Sequence, residues 1–253
     1  MLVFGVFFCA TILNYVAPQT MAGVYGTLGL NKAQAYCYKR VYYKSERIED
    51  LYNAIETSIK ANCYGDVVSL GQEMKNNPHY LVFCDKINQR NTKNIDKSLY
   101  VYVCDYDSYL SGQIISASYK NGNKTKAEEL ALNALSENAN IYGGELATLV
   151  GAVKEDDGLT NAQKQTTLAT IYAKTIGGKT IAELIEDKLN SLPDPSTATN
   201  LTKLKIYHAK QKILTTKYYL EEASGANESA LEAILNDIET AQNGYSATLE
   251  SMV

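Results

Sequence analysis

Ser118-Tyr-Lys-Asn-Gly-Asn-Lys-Thr-Lys-Ala-Glu-Glu-Leu-Ala-Leu-Asn-Ala-Leu-Ser-Glu-Asn-Ala-Asn140 decides the fold. It reads as the end of one helix, a tight turn at Gly122, and a second helix whose alanines allow close packing on the first. Glu128 stands three residues after Thr125, the spacing of a capping box. The same start signal recurs at Asn31 with Gln34, Thr160 with Gln163, Thr180 with Glu183 and Ser229 with Glu232, each ahead of an apolar-periodic run. That recurrence predicts an all-α chain.

Outward from this stretch, Leu51, Ile55 and Ile59 form one helical stripe, and Val67, Val68, Leu70 and Met74 begin another that stops before Pro78. Further helices are expected over 80–88 and 96–119. Leu99-Tyr-Val-Tyr-Val103 is the best strand candidate, but with no partner strand nearby it is read as buried helix. Gly143-Gly144 breaks the chain before a helix at 145–153. Residues 193–198, with Pro193 and Pro195, read as a linker. Beyond it a long helix over about 199–223 ends before Gly225, and two shorter helices over 229–241 and 245–252 close the 199–253 region.

The composition bounds the function. With 253 residues, 45% of them hydrophobic, the chain can bury a sizeable core. A balance of 24 basic against 28 acidic residues lacks the basic stripe a nucleic-acid partner needs, so none is expected. The 20 tyrosines suit helix packing faces first and binding surfaces second. Five cysteines are present without a Cys-x-x-Cys, so no metal site is expected. Across a helical hairpin Cys84 and Cys104 would face each other, and a disulfide there would imply an oxidising compartment. The other reading takes Cys37, Cys63, Cys84 and Cys104 as small buried hydrophobes.

No charged residue occurs in 1–30, and 2–17 is almost wholly apolar. This predicts a transmembrane anchor or signal segment with a juxtamembrane stretch, and a membrane contact through 2–17. Thr20-Met-Ala22 offers small residues for cleavage, and a buried N-terminal helix is the other reading. Lys32, Lys39, Arg40, Lys44 and Arg47 would hold their flank in the cytoplasm. The apolar start and the even set of downstream cysteines fit export instead, and tip the balance toward a membrane-anchored domain on the extracytoplasmic side.

The stretch 117–140 resembles a tetratricopeptide repeat. Tyr119, Gly122, Ala127, Ala134 and Leu135 fall where that family places its helix aromatic, turn glycine, small residue and Ala-Leu pair. Ala139 replaces the usual proline, and the aromatic expected near Ser111 is missing. Partial copies lie at 41–59, where Glu46 stands for the glycine, and at 60–78. The resemblance implies an α-solenoid of antiparallel helix pairs over 31–192 and a non-catalytic domain binding a protein or peptide in its groove. Tyr106, Tyr109 and Tyr119 are the candidate groove residues.

Two other readings come from different classes. Ala173-Lys-Thr-Ile-Gly-Gly-Lys-Thr180 fits a relaxed phosphate loop in which Gly178 would cradle phosphate, Lys179 reach it and Thr180 hold magnesium. A helix precedes it and no βαβ pattern surrounds it. Gly177-Gly178 is better read as a helix end, with no cofactor and no enzyme expected. The other reading is a purely structural envelope spacer. His79 and His208 lie far apart in sequence, Asp105-Tyr-Asp107 lacks the glycine and glutamate of a calcium loop, and Glu155-Asp-Asp-Gly158 reads as an exposed turn. Asn123, Asn200 and Asn227 each head a glycosylation acceptor pattern that so many Asn and Thr residues supply by chance.

Overall fold

The computed structural model of the chain describes residues 11–93, 106–138 and 140–252. They fold as helices, with two strands of two residues each, which fixes the class as all-α. Two compact units divide the chain, Met1–Asp85 and Lys86–Val253.

In the first unit, residues 11–16 are helical. After them come α1 (Pro18–Thr27), α2 (Asn31–Ser45), α3 (Ile48–Lys60) and α4 (Tyr64–Lys75), and α5 (Tyr80–Lys93) begins here. α1 packs on α2, α2 on α3 and α3 on α4. In α3 the spacing of Leu51, Ala54, Ile55 and Ser58 puts all four on one buried face. Glu49 and Asp50 in its first turn and Lys60 in its last complement the helix dipole. Glu46 closes α2 in the left-handed conformation, at a φ of 52°. Residues 11–16 are tied to α2 by its cations: Lys44 Nζ donates to the Tyr15 carbonyl at 2.7 Å and Arg40 lies over the Tyr15 ring.

This arrangement corrects the transmembrane expectation. Among the described residues no helix is long and apolar enough to cross a membrane. The helical backbone breaks at Ala17, and Pro18, lacking an N–H, opens α1. Ten residues of α1 rise about 15 Å, half of the roughly 30 Å of hydrocarbon a span must cross. Residues 1–10 of the expected segment lie outside the described residues.

The second unit holds α6 (Tyr106–Lys120), α7 (Lys124–Glu137), α8 (Glu145–Lys154) and α9 (Asn161–Tyr172). A small hairpin follows, β1 (Thr175–Ile176) and β2 (Lys179–Thr180), then α10 (Ile181–Ser191), a 3-10 turn at Pro195–Thr197, α11 (Asn200–Ala223) and α12 (Glu228–Glu250). The helix, turn and helix of 118–140 appear as α6 and α7, with Gly122 at a φ of 88° between them. At that φ a residue with a Cβ would be strained.

The solenoid expectation is not shown. In a solenoid each helix pair touches only its neighbours. Here α6, α7 and α8 pack mutually, α10 returns to α7, and α11 lies against α8, α9 and α10 at once. Ile115, Leu149, Ile171, Ile185, Ile213 and Leu220, drawn from five helices and reaching from α6 to α11, belong to a single apolar core.

Two helix starts differ from the sequence reading for a common reason. Asn123 and Asn227, each two residues upstream of the expected caps Thr125 and Ser229, accept the first-turn N–H groups of α7 and α12. At α2 the cap position is Leu30, and no side chain caps the helix. The two helices expected over 229–252 are one, and Gly244 within it leaves room for the Tyr207 ring of α11. A Cβ at Gly244 would come within 2.5 Å of that ring. The strand candidate at 99–103 and Cys104 of the supposed disulfide lie outside the described residues. Cys37 and Cys63 are free thiols.

Candidate functional site

The second unit carries a cleft of about 370 Å³ where the last turn of α6 and the first of α7 face α8 and α9. Its floor is apolar, made by Leu149 and Val153 of α8 and Ile171 of α9. Helical spacing accounts for this, since Leu149 and Val153 are four residues apart on the buried face of α8.

The rim is built from two cross-helix ion pairs. Lys124 Nζ reaches Asp156 Oδ2 at 2.6 Å, and the Tyr119 hydroxyl donates to the same oxygen at 3.0 Å. The Lys124 ammonium also lies 4.8 Å from the centre of the Tyr119 ring. Asp156 Oδ1 accepts from the Gly158 N–H at 2.9 Å, so one carboxylate joins the turn to the cleft wall. Lys124 and the Gly158 N–H hold the Asp156 carboxyl below the usual carboxylate range, the lysine acting more strongly. Burial, and then the bond to Asp156, raises the Tyr119 phenol. The second pair joins Lys174 to Glu128. Thr125 and Thr167 complete the lining beside them. The arrangement has no nucleophile with an adjacent base. It offers an apolar slot for a side chain and, on its rim, charges of both signs for a polar backbone.

Of the predicted groove residues, Tyr119 lines this cleft and Tyr106 and Tyr109 do not. Those two sit in the first turn of α6 with ring centres 5.9 Å apart, and the Tyr106 N–H donates to Asn88 Oδ1 at 2.9 Å. Ten residues of helix separate Tyr109 from Tyr119, about 15 Å along the axis. The three tyrosines therefore do not form one groove.

Gly178, Lys179 and Thr180 lie in the hairpin. Gly177 and Gly178 both have positive φ, 58° and 81°, and Thr175 pairs with Thr180 across the two-residue turn. This is the glycine-rich turn that matches strand twist, in place of the helix end read from the sequence. Lys179 is engaged with Asp187 at 2.7 Å. Thr180 caps α10: its hydroxyl accepts from the Glu183 N–H and donates to the Glu183 carboxylate at 2.9 Å. Lysine and threonine are thus committed to protein partners, and the glycines face a strand turn where a phosphate cradle would need the start of a helix.

Asp156, Glu128 and Lys174 were not singled out as site residues by the sequence. Asp156 reads as part of an exposed turn and Glu128 as a capping partner, because their cations stand 32 and 46 residues away. No local pattern encodes such pairs. Among the described residues no group of three or more His, Cys, Asp or Glu side chains could hold a metal ion.

No family model, curated protein or solved structure matches the chain. The resemblance of 117–140 to a tetratricopeptide repeat is accordingly a likeness of one helical hairpin and does not place the chain in that family.

Proposed function

We propose that the chain is a non-catalytic helical module that binds a peptide segment of a protein partner in the cleft between α6, α7, α8 and α9. The observation that carries this reading is the cleft's anatomy, an apolar floor of Leu149, Val153 and Ile171 under a rim of paired charges. Protein-binding patches share that arrangement of dry centre and polar edge. A volume of about 370 Å³ takes one or two side chains of an extended segment.

Peptide-display selection on the full chain, followed by calorimetric titration of the selected sequences, tests the reading. Thr125 is exposed at the cleft mouth, so Thr125→Trp narrows the slot without entering the core. Selected peptides are expected to lose at least tenfold in affinity on Thr125→Trp. Retention of full affinity by that variant, or failure to select any peptide, overturns the proposal.

A further inference from the structure

Of the twelve large hydrophobic side chains left exposed among the described residues, nine fall between residues 12 and 43. Single exposed apolar residues are ordinary, but a group of this size on one short stretch is not. The segment 11–31 has no charged side chain and forms a layer on α2, where α1 packs with Pro18 and Ala22 buried. Tyr15 and Val16 ahead of α1 are 63% and 68% exposed. Val24 and Leu28, four residues apart on one helical face, are 43% and 64% exposed. Polar groups tie the layer down from behind, since Asn14 Oδ1 accepts from the Cys37 thiol at 3.6 Å and Lys44 holds the Tyr15 carbonyl. The open side is thus apolar or uncharged, where an ordinary surface helix carries charge.

Cations border this layer. Residues 1–48 hold five Lys or Arg residues and one carboxylate, in a chain whose net charge is -4. Lys39 is answered by Asp66 at 2.7 Å, whereas Lys32, Arg40 and Lys44 make no ion pair among the described residues. Arg40 and Lys44 lie 4.4 and 5.4 Å from the centre of the exposed Tyr15 ring, and Lys32 follows the exposed Leu30 by two residues. A protein partner fixes its register through paired polar groups, and the open side of 11–31 offers no charge for that purpose. A lipid interface needs no register and takes apolar side chains, tyrosines and cations together. The helical break at Ala17 forbids a span and suits a segment lying along the boundary. We propose that the layer 11–31 docks on an anionic lipid surface without crossing it. Val24 and Leu28 enter the headgroup boundary, and Lys32, Arg40 and Lys44 answer its negative charge.

The chain has no tryptophan, so Leu28→Trp places a single reporter in the layer and Leu235→Trp places one at an exposed site on α12. The full chain carrying either substitution is mixed with vesicles of phosphatidylcholine, alone or with phosphatidylserine, and read by co-sedimentation and indole fluorescence. Binding is expected to require phosphatidylserine, to weaken in added salt, and to shift the emission of Leu28→Trp to the blue while leaving that of Leu235→Trp in place. Val24→Asp with Leu28→Asp should weaken binding at least tenfold with helix content by circular dichroism unchanged, because both side chains are exposed. Lys32→Glu should weaken it severalfold. Absence of binding, equal binding to phosphatidylcholine alone, or an equal blue shift in Leu235→Trp overturns the proposal. So does a dimer in sedimentation velocity that the double aspartate variant breaks, since a second copy would then be the occupant. Thr125→Trp, in the cleft of the second unit, leaves vesicle binding intact, so the two proposals fail separately.

Discussion

At the scale of single residues, His208 gives the clearest pH signature. Its folded pKa near 4 lies below the ordinary histidine value of about 6.5. Above pH 6.5 the ring is neutral in both folded and unfolded chains, and its contribution is fully present. As pH falls from 6.5 toward 4, the unfolded chain takes up a proton that the folded one resists, so stability is lost across that window and levels off below it. The loss amounts to about 1–2 kcal/mol once screening of a partly exposed ring is allowed for. Denaturant unfolding at pH 7 and pH 4.5 should therefore show a smaller decline for His208→Gln than for the wild type by that amount. An equal decline in both proteins would place the acid sensitivity elsewhere. Lys212, four residues on along α11, is legible beside His208 in the sequence, but the burial that dominates the shift is not, because it comes from the packing of α11 against α8 and against Tyr245 of α12.

At the scale of elements, the capping signals divide by how local their partners are. Thr160 with Gln163 and Thr180 with Glu183 form complete reciprocal boxes, and both were legible because each partner sits within four residues. Thr125 and Ser229 carry the same pattern and cap nothing, because an asparagine two residues earlier already satisfies the first turn. Where two oxygen-bearing side chains stand that close, the spacing rule fits both registers and the upstream residue takes the cap. The difference is measurable. Thr160→Ala and Asn227→Ala should each cost about 1 kcal/mol in chemical denaturation, while Ser229→Ala should stay within about 0.5 kcal/mol. A Ser229→Ala loss as large as that of Asn227→Ala would restore the downstream boundary for α12. The hairpin at 175–180 escaped the sequence reading for a related reason: two residues per strand are too few to show alternation, so Gly177-Gly178 resembled the end of α9.

At the scale of the whole molecule, the class was legible and the closure was not. Amphipathic spacing, as in Leu51 with Ile55 or Leu149 with Val153, announces helices, but nothing local says that α10 returns to α7 or that α11 spans three helices. Glu128 and Lys174 show the gap directly, since one reads as a capping partner and the other as part of a glycine-rich turn until the fold pairs them. The closed arrangement and a solenoid respond differently to losing their last helices. A solenoid's stability is a sum of repeats and neighbour interfaces, so shortening it leaves the remainder folded. Here Ile213 and Leu220 of α11 complete the core that holds Leu149 and Ile185, whereas α12 meets α11 around the separate cluster of Leu204 with Tyr245 and Leu249. A chain ending at Leu192 should therefore lose slow amide exchange at Leu149 and Val153, because burying α8 without α11 leaves its apolar face in water. A chain ending at Gly225 should keep that protection, having lost the Leu204 cluster and the packing of Ile234 and Ala241 but none of the core around Leu149. If Leu149 and Val153 remain as protected without α11 as in the full chain, the second unit is a stack of neighbours after all, and α11 is only an addition to its end.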